Sequence, residues 1–383
     1  MNPELQAGLV GRVLDHLAAG TTDMAPAERA VAAGRYLSAA RYQVEQQALF
    51  RGLPLVLGEA SAIANPGDFI TTDDYGVPLL ITRDAAGTVH ALLNACTHRG
   101  SLLTTAARGC GKQAFTCPYH GWVFANDGRL RHVTHGACFP ETEKDRHGLV
   151  AMPVAERHGL IWVGLEPGRP LDVARFTAEA AADLDWLELA DCVAFRPFTV
   201  TCRSNWKLVV EGFVEQYHLY YAHPRVTSAY YSDAVVIDRL GPHQRLVAPR
   251  STMASQAKVG RHRWRLRPVA SIAYYLFPNT MVIAHPDHVA LVRIVPVTVD
   301  SCTVHWTMLI PRAASDATWT PHWERARESH LTTFAEDVAL TDGIQAGMQG
   351  GAVPDTVIGR NEWGVINCID SIDGYLDALG QTL

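Results

Sequence analysis

Residues 96 to 100 read CTHRG and residues 117 to 122 read CPYHGW. A Cys-x-His pair is thus followed, within one short segment, by a Cys-x-x-His pair. Two thiols and two imidazoles so close together make a four-ligand site of the kind that holds zinc or an iron–sulfur centre. Zinc ribbons and fingers repeat Cys-x-x-Cys or end in two spaced histidines, because their ligands come in pairs from tight knuckles. Here each half supplies one sulfur and one nitrogen. That division suits a two-iron cluster in which one iron takes both thiolates and the other both imidazoles.

The surrounding chain is that of a globular protein. Of its 383 residues 48% are hydrophobic and 19% charged, with 33 Lys and Arg against 39 Asp and Glu for a formal charge of −6. This length and composition support two domains with sizeable cores. No run of Lys and Arg stands out, which argues against a nucleic-acid or membrane-surface partner. The opening MNPELQAGLVGRVLDHL has no apolar core of signal-peptide length, and no stretch approaches the roughly 20 apolar residues of a membrane span. The eight cysteines are spread thinly rather than packed into a disulfide framework, so a reducing cytoplasm is expected, with thiols available to metal.

Helical periodicity from Ala27, with Ala33, Leu37, Ala40, Val44 and Ala48 on one face, predicts an N-terminal helical segment over 1–51 that packs on a larger domain. From Leu53, short apolar runs are broken by Asn65-Pro66-Gly67, Tyr75-Gly76 and Ala86-Gly87. Residues 52–168 therefore read as a small all-β domain with the four clustered ligands on its loops. The alanine-rich FTAEAAADLDWLELA leads into a domain over 169–383. There VAFRPFTVTC, SIAYYLF, TMVIA, HVALVRIVPV and CTVHWTMLI predict an antiparallel sheet, NWKLVVEGFVEQYHLYYAH a helix, and a final helix starts near Pro321. The fold class is α+β.

The segment NWKLVVEGFVEQYHLYYAHP contains Glu215-x-x-His218-x4-His223. Glu215 and His218, three apart, share a face of a helix. His223 points elsewhere unless the helix ends, and Pro224 directly after it pushes His223 out of the α region. Both imidazoles then converge on one ion. Two histidines and a carboxylate make the facial triad that leaves open positions on Fe(II) for O₂ and substrate.

With Arg99-Gly100, Pro118 and Gly121-Trp122 flanking the first four ligands, the two motifs together resemble those of the Rieske non-haem iron oxygenases, in the terminal oxygenase (alpha) subunit of the aromatic-ring-hydroxylating family. The resemblance covers nearly the whole chain, including LFPN at 276–279. The extra loop cysteines of respiratory Rieske proteins are missing. The resemblance implies a Rieske [2Fe-2S] cluster on Cys96, His98, Cys117 and His120. It also implies a mononuclear Fe(II) on His218, His223 and an acid of the late helix, best matched by Asp337, with Glu336 and Asp342 as rivals and Gln345 two turns on. Glu215 becomes the bridge that carries electrons from a neighbouring subunit's cluster. The larger domain is expected to be of the helix-grip, START-like kind, and the assembly a head-to-tail homotrimer. One departure is Gly212, where many of the family carry Asn. With no dinucleotide-binding glycine motif and no plant-type ferredoxin cysteines, the chain needs a separate NAD(P)H-dependent reductase, with or without a ferredoxin. The implied activity is hydroxylation, dihydroxylation or oxidative demethylation of a small organic substrate, an aromatic one by preference. An electron-transfer or regulatory Rieske protein with a non-catalytic second site is the alternative.

Other candidates read as structural. His132, His135 and Cys138 lie in a glycine-containing loop without a fourth partner. His285 and His288 flank Pro-Asp between apolar runs, as in a hairpin turn. Trp122 packs under the cluster loop, Asn205 caps the helix that follows it, and Phe213, Tyr217, Tyr220 and Tyr221 divide between packing and pocket wall.

Overall fold

The computed structural model describes residues 1–224 and 230–381. The chain forms two compact units, one of residues 49–176 and one of residues 1–48 with 177–383. The smaller extends a few residues beyond 52–168, because Phe176 packs its ring edge-on against Trp162, 6.3 Å away. No helix among the described residues is long and apolar enough to cross a membrane.

The smaller unit consists of short antiparallel strands in three sheets. A five-stranded sheet is ordered 151–152, 89–93, 79–83, 69–72, 108–109, and the hairpins 114–116, 123–125 and 130–132 form a three-stranded one. Phe69, Leu80, Leu92, Phe115, Trp122 and Phe124 form its core, and Cys96 and Cys117 are part of the same buried cluster. The two loops are therefore anchored by their own thiols.

The larger unit is built on a seven-stranded antiparallel sheet ordered 192–202, 301–311, 289–298, 280–284, 270–276, 243–249, 236–240. The expected strands are all present. LFPN forms the turn between 270–276 and 280–284, closed by Tyr275 Oη donating to the Pro278 carbonyl at 2.7 Å and Asn279 Nδ2 donating to that of Ile294 at 2.7 Å. Helices Trp206–Phe213, Thr320–Gln349 and Trp363–Ala378 belong to the same unit.

Three expectations are corrected. The helix from 321 is not the last, since Trp363–Ala378 follows it. Arg29–Ala32 is a strand, held by antiparallel pairing with Asp355–Ile358, a partner so distant that local periodicity cannot reveal it. The buried side of the N-terminal segment is also not mainly the alanine stripe: of that stripe only Ala33 is buried and Ala40 is exposed, while Arg35, Tyr36, Tyr42, Glu45 and Leu49 are buried. Its charges are paired, Glu45 with Lys207 at 2.6 Å and Arg35 with Asp373 at 2.6 Å, so polar residues occupy positions that a hydrophobic pattern cannot register.

Candidate functional site

Cys96 and Cys117 head two loops of one design. In each, the cysteine N–H donates to the carbonyl five residues on, Ser101 at 2.8 Å and Trp122 at 2.7 Å. The N–H four residues on, Gly100 or Gly121, donates back to the cysteine carbonyl at 2.8 and 3.0 Å. Both closing residues have positive φ, 78° and 74°, which glycine adopts without a Cβ clash. The Cys96 sulfur accepts the N–H groups of His98 and Arg99, and the Cys117 sulfur those of Tyr119 and His120. Burial pushes both thiols up; at Cys117 these N–H donors win and its pKa is lowered, whereas Cys96, facing the other sulfur, stays raised.

The imidazoles of His98 and His120 lie together, ring centres 4.6 Å apart. Trp122 stacks on His98 at 4.8 Å and 11°, and Tyr119 stacks on His120 at 3.7 Å. Trp122 is thus both core and shield. The Nδ1 atoms of His98 and His120 are buried without a hydrogen-bond partner in the protein. A buried polar atom left this way costs about 1–3 kcal/mol, and two such nitrogens on the loops that also carry the two adjoining thiols fit a cluster that takes all four as ligands. His132, His135 and Cys138, by contrast, are exposed.

In the larger unit the helix expected to carry Glu215 and His218 on one face ends at Phe213. Val214 leaves helical geometry, and its carbonyl lies so close to Gly364 that a Cβ there would sit 1.8 Å from the oxygen. Glu215 falls in the break, and His218 precedes the single turn Leu219–Ala222. Asn205 caps the helix as expected, accepting from Lys207 N at 3.0 Å. His223 has left helical geometry before Pro224, with φ −122° and ψ 55°.

The break brings the predicted residues together. His223 Nε2 lies 2.8 Å and His218 Nε2 3.6 Å from the same oxygen of Asp337, and the ligand-capable atoms of all three residues fall within 4.8 Å of one another. The outward Nδ1 atoms are also held. Glu215 accepts from His218 Nδ1 and, at 3.2 Å, from the His218 backbone N–H, while His223 Nδ1 meets Glu336 at 2.7 Å. Burial lowers the pKa of both histidines, but the surrounding carboxylates more than offset it and both are raised. Three acids drawing positive charge onto two imidazoles describe a place suited to a cation.

Of the rival acids, Glu336 supports His223 from outside, a role the sequence reading missed. Asp342 is elsewhere, accepting from the Arg203 backbone N–H at 2.7 Å, and Gln345 accepts from Asn205 N at 3.0 Å. A cavity of about 840 Å³ opens on the triad, with Phe213, Tyr230, Tyr231 and Trp306 in its walls. Tyr217, Tyr220 and Tyr221 are neither packed nor pocket-lining; they are 59%, 68% and 77% exposed, because the chain turns away after the helix break. His285 and His288, assigned to a turn, do lie in the hairpin but face this cavity.

Comparison with known proteins agrees with both units. Residues 54–143 match the Rieske [2Fe-2S] domain, and residues 189–377 match the ring hydroxylating alpha subunit (catalytic domain). The large subunit of anthranilate 1,2-dioxygenase from Acinetobacter baylyi is 30% identical over 190 residues, 48% of this chain and 40% of that protein. The carnitine monooxygenase oxygenase subunit of Escherichia coli is 28% identical over 199 residues, 52% of each. The chain thus spans about half the length of these curated relatives. The glycine betaine monooxygenase oxygenase subunit of Chromohalobacter salexigens is 26% identical over 88% of this chain and 83% of its own. Among solved structures, the quaternary ammonium Rieske monooxygenase CntA with L-carnitine superposes with a TM-score of 0.77 at 20% identity, covering 92% of this chain and 96% of that one. Naphthalene 1,2-dioxygenase from Rhodococcus sp. gives 0.76 at 19%, covering 97% and 98%. At these identities the structures show a shared fold. The two family matches lie on the two units that carry the two clusters of ligand-type side chains, and the chain belongs to the ring-hydroxylating alpha subunits of the Rieske oxygenase family.

Proposed function

We propose that this chain is the terminal oxygenase component of a multicomponent Rieske oxygenase. Cys96, His98, Cys117 and His120 hold its [2Fe-2S] cluster, and His218, His223 and Asp337 its mononuclear Fe(II). The observation that carries this reading is the convergence of two Nε2 atoms on one Asp337 oxygen at the wall of a cavity large enough for a small organic molecule. An electron carrier needs no such cavity.

An iron bound there supplies O₂ activation and oxygen insertion, with electrons delivered through the cluster. The protein's own part is positional. Glu215 and Glu336 accept hydrogen bonds from the Nδ1–H groups of His218 and His223, which fixes each ring with its Nε2 lone pair directed inward. Phe213 stacks on Phe334 at 5.9 Å and Trp306 meets the same ring tilted at 5.3 Å, which keeps that side of the cavity apolar.

The substrate is a small organic molecule that is hydroxylated, dihydroxylated or oxidatively demethylated. The aromatic walls offer π faces that receive either a flat ring or a quaternary ammonium, and the named relatives act on both kinds. Electrons come from a separate NAD(P)H-dependent reductase, with or without a ferredoxin, and the thin spread of the eight cysteines, two of them placed on the cluster, favours a cytoplasmic setting. A homotrimer is supported by the exposed aromatic rings of Tyr217, Tyr220 and Tyr221 beside Glu215, a surface suited to being covered by a second copy.

The test is iron content together with O₂ uptake. About three irons per chain, with uptake dependent on an aromatic acid or a quaternary ammonium compound in the presence of a surrogate reductase, is expected. Two irons and no substrate-dependent uptake would instead identify an electron carrier.

A further inference from the structure

The cavity holds a second set of ligand-type side chains that the oxygenase reading does not use. His330 lies on the same helix as Asp337, seven residues earlier, which places it on the same face about 10 Å away along the axis. It meets His285 and His288 of the hairpin between strands 280–284 and 289–298. His288 Nε2 and His330 Nε2 are 2.7 Å apart, and ring nitrogens of all three residues lie within 4.8 Å of one another. His285 Nε2 is buried with no hydrogen-bond partner.

The opposite nitrogens are secured from outside. His288 Nδ1 meets Asp287 at 2.7 Å, and the other oxygen of Asp287 meets His322 Nε2 at 2.7 Å. His285 Nδ1 meets Ser271 Oγ at 3.2 Å, and that hydroxyl is held by Tyr231 Oη at 2.8 Å. Metal-binding imidazoles are fixed in this way, with the outer nitrogen bonded to a carboxylate or hydroxyl; the inner Nε2 of His285 has no partner, and the proton shared by His288 Nε2 and His330 Nε2 is the one a bound cation would replace.

We propose that His285, His288 and His330 form a second metal site, distinct from the His218, His223 and Asp337 triad, for a divalent transition ion of the zinc type. Three imidazoles leave a tetrahedral ion one position, and here that position faces the cavity. It would take water or the carboxylate of a small organic acid whose other end lies toward Asp337. The metal site itself stands independently of the oxygenase reading.

The test uses the iron-loaded protein with zinc sulfate alone, followed by desalting, metal analysis and calorimetric titration. About one zinc per chain with no loss of iron is expected. His330→Gln and His285→Gln should each weaken zinc binding roughly 100-fold while leaving the iron count and the near-ultraviolet dichroism of the fold unchanged. His223→Ala should lose the mononuclear iron and still bind this zinc. Absence of zinc uptake would overturn the proposal. So would uptake that displaces iron, or that survives both His285→Gln and His330→Gln and disappears in His223→Ala.

Discussion

His223 is gripped from both sides by consecutive acids: its Nδ1 lies 2.7 Å from Glu336 and its Nε2 2.8 Å from Asp337. On a helix, neighbouring residues point about 100° apart, so the long helix can place one carboxylate outside the ring and one inside only where the imidazole lies across its surface. The two acids have different tasks. Asp337→Ala should remove mononuclear iron altogether. Glu336→Ala should weaken ferrous iron binding roughly 10–100-fold, as loss of an outer partner does, with the visible spectrum of the cluster unchanged. Ferrous titration of chelator-treated protein measures both, and wild-type affinity in Glu336→Ala would remove the role assigned to it.

Glu215 holds His218 by two contacts, to the ring Nδ1 and to the backbone N–H. Glutamine keeps the size and removes the charge. In Glu215→Gln both metals should stay bound, while product formed in a single turnover falls roughly 10–100-fold and the reduced cluster persists in stopped-flow traces. A normal single-turnover rate would show that Glu215 only positions the ring.

The clustering of both candidate ligand sets was legible because most of their chemistry is written in short spacings: the Cys-x-His and Cys-x-x-His loops, and the five residues from His218 to His223 with Pro224 behind them, while Asp337 was reached only through the family resemblance. The sheet of the larger unit was legible from its apolar runs. What stayed hidden depends on partners far along the chain. The helix break at Val214 is set by its approach to Gly364. The strand Arg29–Ala32 exists because Asp355–Ile358 pairs with it, and the partnership of His288 with His330 spans 42 residues. The N-terminal segment misled for a different reason. Its buried residues include Arg35 and Glu45, charged but paired inside the protein, where a hydrophobic stripe predicts the opposite face.

The loop glycines separate backbone strain from packing. Gly100 has open space around its Cα, whereas a Cβ at Gly121 would come within 2.8 Å of Thr134 Oγ1, the hydroxyl that donates to the Gly121 carbonyl at 2.9 Å. Gly100→Ala should cost about 1–2 kcal/mol, the strain of a left-handed alanine. Gly121→Ala should cost about 1 kcal/mol more by displacing that hydroxyl. Thermal loss of the cluster's visible absorbance should therefore come earliest in Gly121→Ala, and equal transitions in the two variants would contradict the packing argument.

Glu211 gives the larger unit a pH dependence of its own. It is buried, with Tyr36 Oη donating to its two carboxylate oxygens at 3.1 and 2.9 Å. Burial raises its pKa to about 7 against the opposing influence of Arg35, Tyr36 and Lys207, from an ordinary value of 4.5. Between those pH values the folded chain keeps a proton that the unfolded chain releases. The stability contributed by the protonated acid is therefore fully present below pH 4.5 and is lost as pH rises through about 7. The loss is on the order of 3 kcal/mol. Glu211→Gln keeps an acceptor for Tyr36 and cannot ionise, so its stability should exceed that of the parent at pH values above this window and match it below. Urea midpoints of the two proteins across the window provide the comparison, and curves that stay parallel throughout would show that Glu211 is already ionised in the folded chain at the acid end.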